Sequence, residues 1–218
     1  MKQAIIVALI VTTACATRGE TSHGESAAVA AAGEAPHAHH ESPASHHGPE
    51  LPATDGAGFT AADVRFMQAM IGHHAQALTM TDMVPARGAG SMVLRLAEKI
   101  DISQRDEIEM MSHWLTERNQ AVPDAAHMHA MHMPGMVTPE QLAHLGATRG
   151  PAFDRLFLEL MIQHHQGAVE MVDSLFASPG AAQDPDIFRF VTDVATDQRD
   201  EIDVMHHMLE ILAATSGA

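Results

Sequence analysis

The sequence predicts an all-α protein, an antiparallel four-helix bundle assembled from two copies of one helix pair. The first observation behind this is an internal repeat. FMQAMIGHHAQALTMTDM from Phe66 matches FLELMIQHHQGAVEMVDS from Phe157, and QRDEIEMMSHWL from Gln104 matches QRDEIDVMHHML from Gln198. The second is periodicity: apolar side chains in these four segments recur at helical spacing, and no stretch alternates as a strand would. The third is punctuation. PARGAG at 85–90, a Pro-rich middle and SPGAAQDP at 178–185 fall where four helices need to be broken.

The elements follow in order. Residues 1–16, MKQAIIVALIVTTACA, have a lysine, a short apolar run and small residues, the anatomy of a secretory signal and too short to span a bilayer. The chain is therefore expected to be exported. Cys15, the sole cysteine, ends that run. Either it carries a lipid, giving an envelope-anchored lipoprotein, or cleavage after Ala16 releases a soluble periplasmic protein. Residues 17–58 are rich in Ala, Gly, Ser, Pro, Glu and His without apolar periodicity, so a disordered, His-rich tether is expected there. The bundle occupies 59–218, with repeat units 59–120 and 138–218 and a His/Met-rich loop at 121–137. The spacing predicts helices over 60–84, 90–119, 151–177 and 185–214. A short extra helix is opened by Thr138-Pro139-Glu140-Gln141, a capping box with Pro in its first turn.

Composition narrows the function. A formal charge of -16 with only 12 Lys+Arg excludes a nucleic-acid partner, because too little positive charge is available for phosphates. It also disfavours an anionic membrane surface, leaving a lipid on Cys15 as the only expected membrane contact. Aromatic residues make up 4% of the chain, so the core must draw on aliphatic residues and an unusual 16 methionines, beside 17 histidines. HMHAMHMPGM, residues 127–136, concentrates both types where core packing does not require them.

Helical spacing places the donors. Phe66, Met70, His73, Ala77 and Met80 form one stripe, and Phe157, Met161, His164, Ala168 and Met171 its copy. His74 and His165 lie at the flank, where they are expected to be half-buried. On the second helices Glu107 and Met111, and their counterparts Glu201 and Met205, lie within apolar stripes. A buried carboxylate needs a partner, and His73 and His164 are the expected ones. Two readings of these residues follow: a buried His–Glu network that fixes helix register, or a metal site in which imidazole and thioether ligate and the carboxylates orient the rings. Soft thioethers with imidazoles select copper, Cu(I) first, with Cu(II) and Ag(I) as alternatives. The candidate ligands are Met70, His73, His74, Met80 and Met111 in the first unit and Met161, His164, His165, Met171 and Met205 in the second. His127, Met128, His129, Met131, His132, Met133 and Met136 would form a flexible chelating arm between them.

The paired MI-x-HH helices, the QR-x-EI helices and the MPGM-x-T-x-E-x-L junction at Met133 to Leu142 resemble the domain of unknown function 305 family in a tandem form, over about residues 59–214. The resemblance implies a ferritin-like bundle, exported in bacteria, whose characterised relatives are associated with copper binding and tolerance. Met70, His73, His74 and Met80, their copies Met161, His164, His165 and Met171, and Glu107, Met111, Glu201 and Met205 match the family helices. The units differ at Gly72 and Ser112, where the second has Gln163 and His206. The implied function is sequestration or shuttling of copper, with metal ions and another envelope copper protein as partners.

A metal-dependent oxidase is the rival enzyme reading, because ferritin-like bundles house di-iron sites built on Glu-x-x-His. The residues three before His73 and His164 are Met70 and Met161, and only Asp203-x-x-His206 approaches the pattern. No enzyme is expected. A structural or adaptor module, with His and Glu as core alone, is the remaining alternative.

Overall fold

A computed structural model describes residues 58–124 and 133–216. Five α-helices make up this part: α1 (Ala61–Thr81), α2 (Ser91–Glu117), α3 (Pro139–Ala147), α4 (Gly150–Phe176) and α5 (Pro185–Ser216). The four long ones form the bundle, α1 pairing with α2 and α4 with α5, while α1 and α4 cross at the centre and join the units. No strand occurs among the described residues. None of the described helices is long and apolar enough to cross a membrane.

The ends of the helices follow from local chemistry. Thr60 and Asp63 form a capping box at the start of α1, and Thr138 and Gln141 form the one expected at α3. The first helix is expected to reach 84 but stops at Thr81, because Pro85 constrains Val84 and cannot donate to the preceding turn. A 3₁₀ turn over Val84–Ala86 takes its place. The second helix ends at Glu117, where Asn119 takes up φ 54°, a left-handed conformation that asparagine tolerates well.

The core falls into two clusters on either side of the α1–α4 crossing. One gathers Met67, Met70, Met111, Met133 and Met171; the other gathers Met80, Met161, Met205 and Met208. Because Met70 falls with Met171 and Met80 with Met161, α1 and α4 run antiparallel. Each unit also reaches into the other through an aspartate at equivalent repeat positions. Asp63 accepts from the Ala182 backbone N–H at 2.7 Å in the α4–α5 turn, and Asp154 accepts from Gly90 N–H at 2.9 Å in the α1–α2 turn. These buried carboxylates lock the hairpins together, since each satisfies a backbone donor that would otherwise be lost from water.

The junction between the units is clamped across α1 and α4. Gln76 exchanges two hydrogen bonds with Val137, at 2.7 and 2.8 Å, and Gln163 donates to the Gly135 and Met136 carbonyls at 3.3 and 3.2 Å. Gly167 permits the close approach: a Cβ there would sit 2.2 Å from the Pro134 carbonyl oxygen. Gly135 faces it at φ +73°. This explains why the repeats depart from each other where they do. Gln163 stands at the position of Gly72, and Gly167 at that of Gln76, so the single junction is met by one glutamine from each helix.

Candidate metal centre

Four imidazoles form a layer at the crossing, and all of His73, His74, His164 and His165 are fully buried. Adjacent residues on a helix point about 100° apart, and α1 packs on two neighbours. His73 faces α4 and the other unit, while His74 faces α2. His165 likewise turns to α5 and His164 to α1.

This corrects the expected pairing. Glu107 accepts from His74 Nε2 at 2.5 Å, and Glu201 accepts from His165 Nε2 at 2.8 Å. The flanking histidines, expected at the edge and half-exposed, are the carboxylate partners and lie wholly inside. His73 and His164 instead stack on each other, ring centroids 3.8 Å apart. His73 donates Nε2–H to the Pro134 carbonyl at 3.1 Å, and His164 donates Nε2–H to the His73 carbonyl at 3.0 Å.

One feature is common to all four rings. Each uses Nε2 for its carbonyl or carboxylate partner, and each Nδ1 is buried with no partner. For His73 and His164 a carbonyl partner fixes Nε2 as the donor, so in the neutral ring Nδ1 carries a lone pair. Both rings are held neutral. Burial, assisted by the His74 charge, lowers His73 to about 3 despite the opposing Pro134 hydrogen bond. Burial and the neighbouring His73 push His164 well below its ordinary value.

The electrostatics of the two units differ. Burial pushes Glu201 up, but the His165 hydrogen bond and the charges of His165 and Lys99 outweigh it, and the carboxyl is held below its usual value. Lys99 Nζ stands 3.3 Å from Glu201. Glu107 opens instead onto a cleft of about 430 Å³ between α2 and α5, which Asp193 and Asp197 also line. Asp197 is raised by burial and by the charges of Glu107, Glu201 and Asp193, against the opposing charge of Lys99.

The sulfur donors surround this layer. Met70, Met80, Met111, Met161 and Met205 are essentially inaccessible, and Met171 is buried as well. Met133 is buried in the core and Met136 packs half-buried against it, so these two do not belong to a free arm. His127, Met128, His129, Met131 and His132 lie outside the described residues, as do the leader, Cys15 and the His-rich segment before the bundle. Asp203 and His206 are exposed on α5. Among the described residues no three His, Cys, Asp or Glu side chains come together as a metal cluster, so a bundle site would draw part of its ligand set from thioethers.

The orphaned Nδ1 atoms fit such a site. Metal-bound histidine commonly donates its second ring nitrogen to a carboxylate or backbone carbonyl, which fixes the ring and raises its basicity. That arrangement is present four times, with soft thioethers on both sides.

Fold and site together define a class, a four-helix bundle of two repeats with a histidine–methionine core. Residues 63–209 match the model of the family described as Domain of unknown function (DUF305), and the chain belongs to that family. Among solved structures it is similar to a DUF305 fragment from Deinococcus radiodurans, at 32% identity and a TM-score of 0.60, covering 70% of this chain and 97% of that one. A DUF305 protein of Streptomyces coelicolor matches at 28% identity and a TM-score of 0.61, covering 72% and 96%. CopM in its Cu(I)-bound form matches at 28% identity and a TM-score of 0.55, covering 68% and 95%, and CopM has also been solved with Cu(II) and with Ag. A search of curated proteins finds no match.

Proposed function

We propose that this protein binds copper outside the cytoplasm and sequesters or passes it on, using methionine and histidine ligands in the service of copper tolerance. The observation that carries the reading is the set of four buried imidazoles whose Nε2–H groups are all engaged and whose Nδ1 atoms are all free. A register-fixing network would have no use for four buried ring nitrogens without partners, two of them lone-pair acceptors on the neutral His73 and His164, since each costs desolvation energy. A soft metal offsets that cost. The thioethers of Met70, Met111 and Met171 on one side, and of Met80, Met161 and Met205 on the other, suit Cu(I), and Ag(I) by the same softness. The copper- and silver-bound forms of CopM support the choice of metal. The apolar start of the chain and the likeness to a Streptomyces coelicolor protein described as secreted support export.

His127, Met128, His129, Met131 and His132 would add a second, faster-exchanging set of donors, and another envelope copper protein is the natural recipient. Copper is cargo in this account, and no catalysis is assigned. Titration of the mature protein with Cu(I) against a chelator, followed by X-ray absorption, tests it. More than one equivalent bound, with sulfur scatterers at the metal, is the expected result. Copper surrounded by nitrogen and oxygen alone would remove the thioethers from the account.

A further inference from the structure

The repeat makes the two His–Glu pairs equivalent in sequence, yet their surroundings carry opposite charge. Glu107 and Glu201 are 94 residues apart in register, and the same offset aligns Lys99 with Asp193 and Ser103 with Asp197. Lys99 reaches across from α2 and sets its ammonium 3.3 Å from Glu201. At the corresponding repeat position the chain supplies Asp193, which lines the same cleft as Glu107, as does Asp197. The Glu107 side chain retains 11% exposure and that of Glu201 only 4%.

We propose that Lys99 decides which of the two pseudo-equivalent pairs takes a soft cation first: as a built-in countercharge it satisfies Glu201, and it leaves the His74–Glu107 pair as the leading site. This rests on the reading that the bundle imidazoles are metal ligands. A carboxylate hydrogen-bonded to a ligating imidazole strengthens the ligand by its negative charge. Lys99 offsets that charge at Glu201, whereas Asp193 adds to it on the cleft that Glu107 lines; Asp197 feels both carboxylates and Lys99, so the contrast between the pairs rests on Lys99 and Asp193. Met110 and Met111 line the Glu107 cleft with these carboxylates, so a thiophilic cation would meet sulfur on its way to the ring. The two units are thereby graded rather than duplicated.

Lys99 and Asp193 are exposed, so exchanging them leaves the core intact. Ag(I) is added to the full chain, and imidazole carbon and nitrogen resonances of His74 and His165 are followed by NMR. In the wild type the His74 signals should saturate first. Lys99→Leu, which removes the charge without adding a sulfur donor, should lower the Ag(I) concentration that half-saturates His165 by about tenfold, as removal of one partly screened charge would. Asp193→Asn, also a change of one charge, should raise the concentration required by His74 by a similar factor. If His165 responds before His74 in the wild type, or if Lys99→Leu leaves the order and spacing unchanged, the selector role is overturned while metal binding by the bundle stands. If neither ring responds at any Ag(I) concentration in any variant, the reading of the bundle as a metal site is overturned and this inference with it.

Discussion

Acid should weaken the apo protein in the range where histidine ordinarily titrates, because two neutral imidazoles are stacked in its centre. His73 is lowered to about 3 and His164 well below its ordinary value, so between these values and about 6.5 the unfolded chain takes up protons that the native state refuses. A histidine depressed on folding contributes stability that is complete above its unfolded pKa and is lost as pH falls towards the folded one. Each contributes a slope of up to about 1.4 kcal/mol per pH unit, and integration from about pH 7 to pH 5 gives roughly 4 kcal/mol for the pair as a ceiling. Glu201, also depressed, loses its contribution as pH falls from the ordinary carboxylate value downward, below the interval from about pH 7 to about pH 5. Urea unfolding of the metal-free protein, followed by circular dichroism at several pH values, measures the slope. The double variant His73→Leu/His164→Leu removes both groups and should flatten it, at some cost at neutral pH because the Pro134 carbonyl loses its donor. A wild-type stability that changes by less than about 1 kcal/mol over that range, or an equal slope in the double variant, would refute the reasoning.

Other perturbations probe the frame around the site. Gly167→Ala should destabilise by about 2–4 kcal/mol in denaturant melts despite alanine's better helix propensity, because its Cβ meets the Pro134 carbonyl; a rise in Tm would show that the approach is not close. Asp63→Ala should cost about 2–4 kcal/mol by leaving the Ala182 and Thr60 N–H groups unmet, and a near-neutral effect would remove this cross-unit lock. Replacing His127, Met128, His129, Met131 and His132 by serine should reduce total Cu(I) capacity while the slowest-dissociating copper stays, as stopped-flow chelator competition will show. Met133 is kept in that variant because it is buried, and Met133→Ser should instead lower stability by about 2–4 kcal/mol.

Much of the frame was legible because the repeat is local and its punctuation strong. The helix ends other than that of the first helix, the capping box at Thr138 and the central place of His73 and His164 follow from spacing and turn chemistry. The pairing of Glu107 with His74 did not, for a geometric reason. A single wheel resolves an inner from an outer face, but α1 has two inner faces, one for α2 and one for α4, and the adjacent histidines divide between them. Met133 and Met136 read as loop donors because nothing local shows that Gly167 opens a seat for the Pro134–Gly135 turn. Lys99 carried no signal by itself. Its contact joins residues 99 and 201 in different units, and only the 94-residue register, set against Asp193, marks it as the position where the copies differ in charge.

The central claim is that copper sits in the bundle on imidazole Nδ1 atoms beside methionine sulfur. Anomalous diffraction at the copper edge, from crystals of the full chain loaded with Cu(I), tests it most directly. The account predicts peaks at bonding distance from Nδ1 of the buried histidines, with a thioether of Met70, Met111, Met161, Met171 or Met205 completing the coordination and Nε2 still engaged with Glu107, Glu201 or a backbone carbonyl. Copper found only on residues 127–136 or on the histidines before the bundle, with all four Nδ1 atoms free of metal, would contradict it.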